Sequence, residues 1–281
     1  MPETRFTDVR RFATLDSTNR YLLDEARAGA PEGVVAVADH QTAGRGRLGR
    51  TWEAPAGANL LVSVLLRPDL RPEQRHLAAT AVALAAVDAI TVSGAPRRAV
   101  GGAVGGPGAE GGTHPGGSVV GIKWPNDLVA PDGRKLAGVL AEADLASVTP
   151  GSAPPVVVGI GINVNWPATD ADLPPELRGV ACSLRELAGG EVDREALLVA
   201  LLDALVPRVT ALATSAGRVR LADDLRAGCR TLGTTVRVDL ADGSFVGTAT
   251  SVTDDGHLEV DVDGTPRTVV AGDVVHVRPG D

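Results

Sequence analysis

The segment Gln41-Thr42-Ala43-Gly44-Arg45-Gly46-Arg47-Leu48-Gly49-Arg50-Thr51-Trp52 alternates arginine with glycine between two apolar runs. Glycine has no side chain to hold a ligand away, so backbone amides and guanidinium forks can close on one anion together. The flanking runs, Gly33 to Ala38 and Asn59 to Leu66, are short and β-branched or aliphatic, which predicts buried strands. The loop therefore sits on a sheet. A solvated Arg/Gly connection is the plainer reading of the same residues, and the agreement of the flanks favours phosphate chemistry over it.

At 281 residues, one large domain with a small appendage is expected. Aromatics make up only 2% of the chain, so the core must be built from small aliphatic side chains. A formal net charge of −8 argues against a protein that coats nucleic acid and makes the cluster of Arg45, Arg47 and Arg50 a local feature. Cys182 and Cys229 lack CxxC spacing, which indicates neither a disulfide framework nor a zinc site. The first eleven residues lack the apolar core of a signal peptide, and no run is read as approaching the ~18 apolar residues of a membrane span. The expectation is a cytoplasmic protein without a membrane partner.

In chain order, Ser17, Thr18 and Asn19 lie where a helix should start, before Tyr21, Leu22, Leu23 and Ala26, with Gly29 as its stop. They serve either as plain caps or as hydroxyl and amide partners for a neutral polar ligand. After the loop and the second strand, Pro72 opens an alanine-rich helix to about Val92. Residues Gly94 to Gly117 are rich in Gly, Ala and Pro and read as a flexible insertion. Val119 to Val129 and Lys135 to Glu142 flank the turn signal Pro131-Asp132-Gly133 and predict a hairpin. It gathers Lys123, Asn126, Asp127 and Lys135, where lysine suits a phosphate or an oxyanion and aspartate suits Mg²⁺. Val156 to Asn165 is a further buried strand whose lone GxG lacks the rest of a dinucleotide fingerprint. Its Asn163 needs a partner, either backbone or ligand. Asp193 caps a core helix to Val209, a shorter helix covers Leu221 to Ala227, and from Thr234 five short strands make a small barrel.

These pieces together resemble the biotin protein ligases. The resemblance rests on Ser17-Thr18-Asn19, on Gln41 with Gly44 to Trp52, on Lys123-Trp124-Pro125-Asn126-Asp127, on Lys135 to Leu140, on Gly159 to Asn165 and on the closing barrel, in that order. It implies an α/β (α+β) fold in which a mixed-sheet catalytic domain of the biotin/lipoate ligase type, residues 1–231, precedes an SH3-like domain, residues 232–281. With about sixteen residues before the Ser-Thr-Asn motif, the monofunctional type without a DNA-binding domain is implied, and no DNA partner.

The implied reaction joins biotin to ATP as biotinyl-5′-AMP, releases pyrophosphate, and passes biotin to a lysine of a biotin carboxyl carrier domain of an acetyl-CoA or other acyl-CoA carboxylase. The resemblance assigns Ser17, Thr18, Asn19, Gln41, Gly44, Arg45, Gly46, Arg47 and Lys135 to biotin. It assigns Arg47, Arg50, Trp52, Lys123, Asn126, Asp127 and Asn163 to ATP, Lys135 and Arg47 to catalysis, and Asp127 to Mg²⁺. A lipoate or octanoate ligase shares the chemistry but needs an apolar acyl tunnel. A nucleic-acid-binding regulator would use the barrel as its platform, which the few aromatics disfavour.

Overall fold

The structure is a computed structural model and describes residues 5–94, 120–144, 153–240, 243–270 and 272–276. Beyond Gly94, the glycine-rich insertion expected to run to Gly117 lies outside the described residues.

Seven strands form the larger sheet: Val9–Leu15 (β1), Val35–Gln41 (β2), Leu60–Leu66 (β3), Gly121–Lys123 (β4), Asp127–Val129 (β5), Lys135–Ala143 (β6) and Val156–Ile162 (β7). Their order is β1-β2-β3-β7-β6-β5-β4. β1 and β2 are parallel and every other neighbouring pair is antiparallel, so the sheet is mixed. β1 was not foreseen from the sequence. Arg10 and Arg11 make it read as polar, and as an edge strand it is never fully buried. Its partner β2 lies beyond a whole helix, so no local pattern announces the pairing.

That helix, Thr18–Arg27 (α1), is capped by the Ser17 side chain. It lays Leu22 and Ala26 on one face of the sheet with Val34, Ala36, Leu65 and Val157. The other face carries Leu77–Val92 (α2), and Leu184–Ala188 (α3), Arg194–Leu212 (α4) and Ser215–Gly228 (α5) complete the helices. α2 packs on β5, β6 and β7 and under α4 and α5, and it is buried almost all round because it is covered on both sides. Against the expectation that no run approaches a membrane span, Pro72–Val92 is long and apolar enough, by length and composition, to cross a membrane, and in the fold its Leu77–Val92 part is a core helix. Pro72 itself opens a separate 3₁₀ turn, Pro72–Gln74, ahead of α2. α3 was missed at five residues, and α5 begins earlier than Leu221 because Thr214 caps it through the Gly217 amide.

The expected single hairpin is two. β4 and β5 meet across a turn with a cis Trp124–Pro125 bond, and β5 and β6 meet across a turn in which Gly133 takes φ +84.

Thr235–Leu240 (β8), Gly243–Val252 (β9), Leu258–Val262 (β10), Thr265–Val269 (β11) and Asp273–His276 (β12) make a second, all-antiparallel sheet in the order β11-β10-β9-β8-β12. Its inward residues, among them Val236, Val238, Ala249 and Val260, join the same hydrophobic core as α2 and the large sheet. Trp124 staples the two sheets. Its backbone amide donates to Thr231 Oγ1 and its indole Nε1 to the Gly256 carbonyl, each at 3.0 Å.

Two half-buried histidines, His276 and His76, sit at this junction. His276 Nε2 is 3.2 Å from Thr231 Oγ1, and burial, reinforced by Lys123, pushes its pKa down to about 4. His76 stacks on His257 with ring centroids 4.8 Å apart, and burial followed by His257 lowers it as well. Between pH 6.5 and 4 the unfolded chain therefore binds more protons at these positions than the native one, so stability falls as pH falls through that window. Melting temperature is expected to drop from pH 6.5 to 4, and to drop less in His276→Asn. An identical slope in that variant would show that His276 makes no contribution.

Candidate active site

The site starts as a bare patch on paired strands. Gly138 of β6 lies opposite Gly161 of β7, and Leu140 opposite Gly159. A Cβ at Gly161 would lie 2.6 Å from Cε2 of Trp52, one at Gly138 3.2 Å from its Cζ3, and one at Gly159 2.2 Å from Oδ1 of Asn19. Only glycine lets the indole and the amide approach the backbone this closely. The GxG that fits no nucleotide fingerprint in the sequence is thus a floor.

The Arg/Gly loop leaves β2 and arches over that floor. A bridge between Arg45 and Thr51 closes it, and Arg47–Gly49 forms a 3₁₀ turn at its tip. Leu48 adopts the left-handed region at φ 56 and is 70% exposed, a conformation that costs a non-glycine residue roughly 1–2 kcal/mol. Gly44 shapes the loop from below. Its carbonyl accepts the Trp52 amide at 3.0 Å, and a Cβ there would lie 2.4 Å from the Trp52 carbonyl oxygen.

Between loop and floor lies a cavity of about 390 Å³. Ser17, Thr18, Asn19, Gln41, Arg45, Gly46, Arg47, Arg50, Trp52, Lys123, Asn126, Asp127, Lys135 and Asn163 all line it. Of the residues the resemblance assigns to the site, Gly44 alone does not. Lys123 and Lys135 are the only lysines in the chain, and the fold brings both to this one cavity.

The polar end is built on the start of α1. The Thr18 amide donates to Gln41 Oε1 at 2.8 Å, Ser63 Oγ donates to Asn19 Oδ1 at 2.6 Å, and Ser63 Oγ lies 2.7 Å from Thr18 Oγ1. Asn19 Nδ2 donates to Glu142 Oε2 at 2.8 Å and to the Leu140 carbonyl at 3.2 Å. The charged end carries cations against carboxylates. Lys135 Nζ is 2.7 Å from Asp127 Oδ1, Arg45 is 3.1 Å from Glu142, and Arg50 is 2.7 Å from Asp273. Arg47 donates to Asn126 Oδ1 at 3.0 Å and to the Gly272 carbonyl at 2.8 Å, and burial lowers its pKa against the pull of Asp273 and Asp127. Lys135 Nζ also stands 5.6 Å from the Trp52 ring centroid.

Asn163 is 6% exposed, and its amide is matched within the protein: Oδ1 accepts from Asn59 Nδ2 at 3.2 Å and Nδ2 donates to the Cys182 carbonyl at 3.0 Å. Ser63, Glu142 and Asp273 escaped sequence reasoning. A serine inside the apolar run of β3 and a glutamate ending the β6 run were visible as polar interruptions, whereas Asp273 arrives from the second sheet and carries no local signal. Both cysteines are buried, and burial pushes Cys182 up to about 12, far from a reactive thiolate. Among the described residues no three His, Cys, Asp or Glu side chains cluster for a metal. The single carboxylate of Asp127 suits Mg²⁺ that arrives with phosphate oxygens and water completing its shell.

This architecture is that of the biotin and lipoate ligases, and the comparisons agree. Residues 12–163 match the model of the biotin/lipoate A/B protein ligase family, and residues 231–277 match the biotin protein ligase C terminal domain. The chain belongs to the biotin protein ligases of that family. It is 40% identical to the biotin--[acetyl-CoA-carboxylase] ligase of Mycobacterium tuberculosis, over 95% of this chain and 88% of that one. It is 32% identical to the bifunctional ligase/repressor BirA of Bacillus subtilis, over 92% and 71%. The biotin protein ligase from Aquifex aeolicus in complex with biotin and ATP shares the fold with a TM-score of 0.73 at 24% identity, covering 98% of this chain and all of that one.

Gly161→Ala should lift the Trp52 indole from the floor and change the near-ultraviolet circular dichroism while leaving the far-ultraviolet spectrum as it was. An unchanged near-ultraviolet spectrum would mean the indole does not rest there.

Proposed function

We propose that this chain activates biotin with Mg·ATP to biotinyl-5′-AMP and pyrophosphate, and then transfers biotin to a lysine of the biotin carboxyl carrier domain of an acetyl-CoA carboxylase. The observation that carries this reading is the cavity itself, in which a row of hydroxyls and amides meets both lysines and three arginines over a glycine floor. The polar row suits a ureido ring, which offers N–H donors and a carbonyl acceptor, and suits an acyl chain poorly. The two proposed domains, residues 1–231 and 232–281, both reach the site, since Arg47 and Arg50 are held by Gly272 and Asp273.

In the first step a carboxylate oxygen of biotin attacks the α-phosphorus, and the bond from that phosphorus to pyrophosphate breaks. No enzyme nucleophile is required, so the work falls to positioning and charge. Ser17, Thr18, Asn19 and Gln41, with Gly44, Arg45 and Gly46 of the loop, hold biotin. Lys135 lies beside its carboxylate and the α-phosphate, and Arg47 and Arg50 meet the phosphates. Trp52 stacks with adenine, while Lys123, Asn126 and Asn163 complete the nucleotide side. Asp127 would hold Mg²⁺ brought by ATP, and the ion would offset phosphate charge there. In the second step the acceptor amine attacks the carbonyl carbon, the bond to the AMP oxygen breaks, and the amine loses a proton. Such an enzyme works where ATP and the carboxylase are, which supports the reading of a cytoplasmic protein.

The decisive assay is incubation with biotin, Mg·ATP and a biotin carboxyl carrier domain, following pyrophosphate and the acceptor's mass. Lys135→Ala should fold normally and lose adenylate formation by a factor on the order of 10² or more. Pyrophosphate release at the wild-type rate in that variant would remove Lys135 from the chemistry.

A further inference from the structure

Among the described residues, Glu142 is the carboxylate that connects the floor of the site to its roof. On β6, Gly138, Leu140 and Glu142 share a face by the two-residue period of a strand, and Glu142 pairs across to Val157, which belongs to the apolar cluster under α1. A carboxylate beside that cluster is costly unless it is matched. Glu142 is matched twice. Its Oε2 accepts from Asn19 Nδ2 at 2.8 Å, and its Oε1 and Oε2 lie 3.1 and 3.2 Å from the Arg45 guanidinium.

The two partners belong to different parts of the site. Asn19 is 4% exposed and is fixed from three sides: Glu142 and the Leu140 carbonyl take its amide hydrogens, and Ser63 donates to its oxygen. Only an NH₂ group can face a carboxylate, so Glu142 dictates that Oδ1 points to Ser63, in the space that Gly159 leaves open. Ser63 in turn contacts Thr18, and Thr18 donates to Gln41. Arg45 belongs to the loop, and Glu142 is its one ion-pair partner among the described residues.

We infer that Glu142 is a positioning residue for the biotin end of the reaction: it sets the orientation of the Asn19 amide and, through Arg45, anchors the loop over the same pocket. It touches neither phosphate nor acceptor, and it acts through Asn19 and Arg45. The inference rests on the biotin reading of this cavity. A carboxylate is needed for the Arg45 half of the task and only an acceptor oxygen for the Asn19 half, so the two halves separate by substitution. Glutamine keeps an oxygen for Asn19 Nδ2 and loses the charge.

The test is steady-state pyrophosphate release at varied biotin with saturating Mg·ATP, on wild type, Glu142→Ala and Glu142→Gln. Melting temperatures confirm that each variant is folded. Glu142→Ala should raise KM for biotin about tenfold, the scale of one lost charge-assisted hydrogen bond, and change kcat much less. Glu142→Gln should recover most of that KM while trypsin cuts faster after Arg45 than in wild type. A biotin KM within twofold of wild type in Glu142→Ala overturns the role, as does a loss confined to kcat. If Glu142→Ala fails to fold, an unaltered KM together with unaltered cleavage after Arg45 in Glu142→Gln overturns it equally. A wild-type protein that releases no pyrophosphate with biotin would instead bring down the functional reading on which this one stands.

Discussion

The site depends on one electrostatic constraint: cations gathered for a polyanion repel one another until that anion arrives. Three of them are answered by carboxylates from three different elements, Glu142 for Arg45, Asp273 for Arg50 and Asp127 for Lys135. Arg45, Arg50 and Lys135 all remain partly exposed, and such pairs contribute only about 0–1 kcal/mol each. They are strong enough to arrange the cations, and the Arg50 and Lys135 pairs are weak enough to give way to phosphate while Glu142 keeps Arg45 over the biotin end. Arg47 differs, because it is more deeply buried and is held by an amide oxygen and a backbone carbonyl in place of a carboxylate. A guanidinium with incomplete compensation is the one with most to gain from an anionic ligand.

The second constraint is steric. A loop that brings an indole and an arginine fork over a sheet needs a sheet without side chains at that spot, and Gly138, Gly159 and Gly161 supply it. The same bareness lets Asn19 reach across from α1 to β7. The floor and the cationic roof are therefore one design, and a methyl group at any of these three positions would disturb it.

Much of this was legible in the sequence, for reasons that differ by element. β2, β3, β6 and β7 are continuous apolar runs, and a buried strand has little other choice of composition. The Arg/Gly loop and the Lys123 and Lys135 segments were conspicuous because cations and glycines there interrupt such runs. β1 was hidden because an edge strand may carry charges. The pairings that complete the site were hidden because they join residues far apart: Asp273 reaches Arg50 from the second sheet, and Ser63 meets Asn19 across two elements. Asn163 shows the limit from the other side, for its two readings differ only in where its hydrogen bonds go, and the fold gives both ends of the amide partners in Asn59 and Cys182.

In the proposed reaction Arg47 and Arg50 turn from their protein partners to the phosphate of the ligand, and the loop orders over it as they do so. The most direct measurement is limited trypsin digestion at Arg45, Arg47 and Arg50 in the absence and presence of biotin with Mg·ATP. Ready cleavage is expected without ligand and slow cleavage once the adenylate has formed, since a loop ordered over a ligand cannot enter the protease. Equal rates in the two states, under conditions where bound adenylate is demonstrated, would contradict it.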